Sequence, residues 1–85
     1  MTKRDVNHRL EAARKWAAAR HTRISSFGLF RAAPTGTYVE AEFSSLAEAR
    51  SKAHEQAKGP GGHKLAICAI TPEGWVFRLE DVTPH

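Results

Sequence analysis

The chain has 85 residues, of which 41% are hydrophobic and 26% charged, with a formal net charge of +4. That is one small folded domain rather than two domains or a disordered chain. It buries only about 60–65% of the surface its unfolded form exposes, so a partner chain is a natural source of extra stability. No apolar run approaches the roughly 20 residues that span a bilayer, and no uninterrupted apolar segment follows the basic N-terminus, so no secretory signal is expected. The single cysteine, Cys68, excludes an internal disulfide framework and a Cys-rich zinc site. A cytoplasmic, bacterial-type protein is the expectation.

The charge is unevenly spread. Residues 1–23 carry seven Lys/Arg against two Asp/Glu, a net of +5, while residues 24–85 carry six against seven, a net of −1. Such asymmetry points to contact with something anionic.

Thr2-Lys3-Arg4-Asp5 has the form of a capping box. Val6, Leu10, Ala13 and Ala17 then recur at helical spacing, and three consecutive alanines follow, which predicts a helix over 3–21. Trp16 sits at the edge of this stripe beside Arg9 and Arg20. Arg23 to Arg31 reads as a strand, with Phe27 and Leu29 on one side and Ile24 and Phe30 on the other. Ala33-Pro34-Thr35-Gly36 supplies turn chemistry. In the next run Thr37, Val39, Ala41 and Phe43 alternate with Tyr38, Glu40 and Glu42, completing a hairpin.

A second capping box, Ser45-Leu46-Ala47-Glu48, opens a helix whose apolar stripe is Leu46, Ala49, Ala53 and Ala57. Its Arg50, Lys52, Glu55 and Lys58 are expected mostly outward. Gly59-Pro60-Gly61-Gly62 ends it. Leu65 to Ile70 is apolar throughout, the pattern of a strand covered on both faces. Thr71-Pro72-Glu73-Gly74 is a hairpin turn. The last run sets Trp75, Phe77 and Leu79 against Val76, Arg78 and Glu80.

The expected fold is therefore α+β: an N-terminal helix, then a ββαββ unit whose mostly antiparallel four-stranded sheet carries a packed helix. Residues 1–22 form the basic helix of the same domain, 23–82 the ββαββ unit and 83–85 a tail. One sheet face takes the second helix. The other keeps apolar groups, and leaving them wet is unusual in a monomer. Either the first helix covers that face or a second copy does, with Phe30, Cys68, Ile70 and Val76 as the self-association face.

The run from Phe43 through Val76 joins a Phe-Ser-Ser-Leu-Ala-Glu-Ala helix start, a glycine link, an apolar strand and a Pro-Glu-Gly turn. It resembles small uncharacterised bacterial ββαββ domains of unknown function, over about 40% of the chain. The resemblance implies a fold and no chemistry. The Gly-x-Tyr strand and Ser-x-x-Glu-Ala helix are also similar to HicB-type antitoxins, without the small loop motif expected between them.

Catalytic signals are weak throughout. Ser25 to Arg31, SSFGLFR, matches the aromatic signature of RNA-recognition sheets only at Phe27 and Gly28, and its phenylalanines point to opposite faces. The Gly59–Gly62 loop follows a helix and precedes a strand, the reverse of a phosphate-binding loop. His8, His21, His54, His63 and His85 lack metal-ligand spacing, and Cys68 lies in the most apolar strand, where a thiol is inert packing. No enzyme activity, cofactor or metal is expected. The reading is a non-catalytic protein-interaction module that associates with a protein partner or with itself. The alternative is sequence-independent nucleic-acid binding through Arg4, Arg9, Arg14, Lys15, Arg20 and Arg23.

Overall fold

Stripes at helical spacing and runs of alternation place the elements as expected. The computed structural model describes residues 3–33, 36–57 and 64–82. They form α1 (Lys3–Ala19), β1 (Ser26–Ala33), β2 (Gly36–Phe43), α2 (Leu46–Ala57), β3 (Leu65–Ile70) and β4 (Val76–Val82). The class is α+β, a helix followed by β-β-α-β-β. The strands make one antiparallel sheet in the order β2-β1-β3-β4, so β1 and β3 are central and β2 and β4 are edges. The Thr2 cap, the Pro34-Thr35 turn, the Gly59–Gly62 link and the tail 83–85 lie outside the described residues. Among the described residues no helix is long and apolar enough to cross a membrane.

α1 ends at Ala19, two residues before the expected end, because His21 adopts a left-handed conformation with φ 58°. The His21 N–H then donates to the Ala18 carbonyl at 3.1 Å, and the Thr22 N–H donates to the Ala17 carbonyl at 2.9 Å. This is a Schellman closure with histidine where glycine is usual. The left-handed region costs a non-glycine residue about 1–2 kcal/mol, and glycine returns about half of that as unfolded-state freedom. His21→Gly should therefore raise stability by about 0.5–1 kcal/mol in thermal unfolding. A loss would mean that the imidazole makes an unrecognised contact. α2 opens as its capping box requires: Ser45 Oγ accepts the Glu48 N–H at 3.2 Å.

Both helices pack on the same side of the sheet. Val6 and Leu10 of α1 share one buried cluster with Ala49, Ala53 and Ala57 of α2 and with Phe27, Leu29, Leu65, Ile67, Ala69, Leu79 and Val82 of the strands. The alanine stripe brings α2 close over the centre of the sheet, while α1 lies along β4. Trp16 fastens α1 there, edge-on to Phe77 at 4.8 Å and to Trp75 at 5.4 Å.

The structure departs from the sequence reading in several side-chain placements. Ile24 precedes β1, which begins at Ser26 rather than Arg23, and packs against the helix-side cluster instead of beside Phe30. In β2 a bulge makes Glu40 the extra residue, since Leu29 pairs Ala41 but Phe30 pairs Val39. Val39 thus leaves the face of Ala41 and Phe43 and turns to the open side, where it is 54% exposed. Glu40 instead bonds Arg31 at 2.9 Å.

A second bulge, in β4, makes Leu79 the extra residue between the Ile67–Glu80 and Cys68–Arg78 pairs. Glu80 therefore turns to the helix side rather than sharing the face of Val76 and Arg78. Only 3% of it is exposed. Arg50 of α2 turns inward to meet it, with Nε donating to Oε1 at 2.9 Å and Nη2 to Oε2 at 3.3 Å.

Candidate functional site: the open sheet face and the basic helix

With both helices on one side, strand alternation assigns the residues of the other face. Strand register arranges them in rows across β2, β1, β3 and β4. One row is Val39, Phe30, Ala66 and Asp81; the next is Glu42, Gly28, Cys68 and Arg78. A third row holds Ser26, Ile70 and Val76. Phe30, Cys68, Ile70 and Val76 are thus brought together on one surface. A shallow depression of about 450 Å³ lies among Phe30, Lys64, Ala66, Cys68, Val76 and Arg78. Val76 is 49% exposed, whereas Cys68 is 6% exposed.

Gly28 explains how SSFGLFR is built. A Cβ placed on it would stand 2.8 Å from Ile70 Cδ1 and 2.9 Å from Phe30 Cε2. These two side chains lean over the glycine from the rows on either side and close the middle of the face. Phe27 lies beneath the helices with 7% exposed, so the two phenylalanines cannot form a stacking platform together.

Burial pushes the Cys68 thiol from its ordinary 9.0 up to about 11, with a smaller rise from Asp81 and an opposing pull from Arg78. Arg78 Nε donates to Asp81 Oδ1 at 2.7 Å beside it, in an exposed pair. The folded value lies above the unfolded one. The stability this group contributes is therefore fully present below about pH 9 and is lost as the pH rises through about 11. The thiolate is the reactive species, so near pH 8 iodoacetamide should label native Cys68 roughly a hundredfold more slowly than the denatured chain. Equal rates would show that the face opens readily.

The basic helix presents a different picture. Arg9, Arg14, Lys15, Arg20 and Arg23 are exposed; the side chain of Arg4 lies outside the described residues. At about 100° per residue, Arg9 and Arg20 share the side of Trp16, while Arg14 and Lys15 project elsewhere. The Arg20 guanidinium stacks over the Trp16 ring at 4.0 Å, and Arg14 lies 3.8 Å from Glu11. Thr22 Oγ1 donates to Glu73 at 2.8 Å, tying the end of α1 to the β3–β4 turn. The five described cations therefore do not converge on one point.

His8, His21 and His54 are exposed on separate elements, and His63 and His85 lie outside the described residues. Among the described residues, no three His, Cys, Asp or Glu side chains gather as a metal site would require. The polar cluster that sequence reasoning missed is Arg50–Glu80. Its signal was the phase slip from Phe77 and Leu79 to Val82, which marks a bulge.

Compared with known proteins, the chain matches no family model, no curated protein and no solved structure.

Proposed function

We propose that this domain is a non-catalytic protein-interaction module that self-associates through the open face of its sheet. One observation carries the reading: α1 and α2 share a single side, so neither covers Phe30, Ala66, Cys68, Ile70 and Val76. A contiguous apolar surface of this kind marks a contact site in small domains. Sedimentation equilibrium from micromolar to near-millimolar concentration tests it. The mass should rise toward that of a dimer, and Val76→Glu should hold it at the monomer with the melting temperature unchanged. A mass that stays monomeric throughout would end the reading.

A second reading is sequence-independent nucleic-acid binding through α1, favoured by the exposure of Arg9, Arg14, Lys15, Arg20 and Arg23. Deleting the helix cannot test this, because Val6, Leu10, Ala13 and Ala17 belong to the core. Glutamine at those five positions can. Short duplex or single-stranded DNA should bind the intact chain at low salt, lose affinity steeply as salt rises, and lose most of it in the variant. No binding at low salt removes this reading.

A further inference from the structure

The open face also indicates how the second copy would sit on it, an inference that rests on the self-association just proposed. We infer that two copies pack face to face about a two-fold axis parallel to the strands, lying over the gap between β1 and β3. Each copy then offers its Glu42 to Arg78 of the other.

A self-complementary contact between identical sheet faces needs a two-fold axis in the plane between them. Aligned packing, with strands within about 30° of one another, leaves two choices: nearly along the strands or nearly across them. An axis across the strands through the central row sets every strand over its own counterpart. Glu42 would then face Glu42, and Arg78 would face Arg78, which is like charge against like charge. An axis along the strands keeps the rows and reverses their order, so that β4 lies over β2 of the second copy.

The second choice turns the pattern of the face into a match. In the row Glu42, Gly28, Cys68, Arg78 the two charged ends exchange partners, giving two opposite-charge contacts. Between them Gly28 and Cys68 lie low in the face, with Phe30 and Ile70 leaning over the glycine, so these two side chains fill the middle of the contact. In the row Val39, Phe30, Ala66, Asp81, the large Phe30 faces the small Ala66 of the second copy, and the same pairing recurs by symmetry. Asp81 comes opposite Val39 and keeps its bond to Arg78 of its own chain. Arginine's planar fork can serve Asp81 and Glu42 together. Sheets stack about 10 Å apart, a gap that an arginine and a glutamate extending toward each other can close.

The face is small. Four strands about 4.8 Å apart and some six residues long cover roughly 19 by 20 Å, hence roughly 800 Å² counted over both copies. That falls below the roughly 1,200 Å² at which stable interfaces begin, so the dimer is a reversible, concentration-dependent one. It leaves the outward side of α1, with Arg14, Lys15 and Ala18, exposed in each copy.

Charge reversal decides the geometry. Glu42→Arg alone and Arg78→Glu alone each turn two attractions into two repulsions, and each should weaken self-association at least about tenfold in sedimentation velocity. When the two variants are mixed, each chain supplies the charge that the other lacks. The Glu42→Arg chain is then positive at both positions and the Arg78→Glu chain negative at both, so both contacts become attractive again. The mixture should therefore form a heterodimer near the wild-type affinity. Single variants that dimerise like the wild type, or a mixture that stays monomeric, would overturn this arrangement while leaving self-association in place. A wild-type chain that never dimerises would instead remove the reading beneath it. Should Arg78→Glu fail to fold beside Asp81, Glu42→Arg alone decides: undiminished dimerisation overturns the geometry.

Discussion

Replacing Arg50 by alanine should cost the fold about 3 kcal/mol, a large share of the roughly 4–13 kcal/mol expected for a domain of this size. The reason is Glu80. Its carboxylate is 3% exposed at the β4 bulge, beneath α2, and both of its oxygens take bonds from Arg50. Removing the guanidinium takes away both bonds to a carboxylate that is almost wholly buried. The cost is therefore the desolvation of an orphaned ion rather than the modest value of the pair itself. The paired replacement Arg50→Met with Glu80→Leu removes both charges and should come out near neutral or more stable. Urea unfolding of the single and double variants checks both statements. A loss below about 0.5 kcal/mol for Arg50→Ala would place this contact among ordinary surface pairs.

Leu29→Ala should be comparably severe, at about 3 kcal/mol. Leu29 is fully buried in the central strand β1, with Ala41 and Ile67 as its neighbours across the sheet. Above β1 runs the stripe of Ala49, Ala53 and Ala57. A methyl group has no alternative rotamer with which to fill a void, so the cavity stays open and its cost is added to the lost transfer energy. Leu29→Met nearly conserves volume and should cost less than about 1.5 kcal/mol. If alanine cost no more than methionine, α2 would have settled into the gap, and its close packing would be softer than the geometry implies.

Local patterns carried much of this fold. Val6, Leu10, Ala13 and Ala17 share a face because helical periodicity requires it, and all four are buried. Ser45 was readable as a cap because its side chain meets the orphan N–H of Glu48. What local patterns could not carry was pairing. The order β2-β1-β3-β4 and the side chosen by α1 depend on contacts distant along the chain.

The bulges show the difference well. In β4 the slip from Leu79 to Val82 leaves a trace in the apolar phase. In β2 Val39, Ala41 and Phe43 alternate without a break, and only the register with β1 turns Val39 to the open face. Arg50 looked like one more solvated helix charge because its partner lies thirty positions further along. That Cys68 and Ile70 share a face was legible from alternation within β3, whereas the register with β1 and β4 is what sets Phe30 and Val76 beside them. That neither helix covers this face was not legible, because it depends on where α1 packs.

The claim at the centre of this account is that the sheet face opposite the helices is the surface through which copies meet. The most direct measurement is the bleaching of methyl NMR signals by a soluble paramagnetic agent, compared between dilute and concentrated protein. In dilute solution the Val76 and Val39 methyls should bleach strongly and those of Leu29 and Ile67 hardly at all. On concentration, Val76, Val39 and Ile70 should become protected while Ala18 and Ala19, exposed on the outer side of α1, remain unchanged. Protection that appears on α1 instead, or bleaching of Val76 that is the same at every concentration, would contradict it.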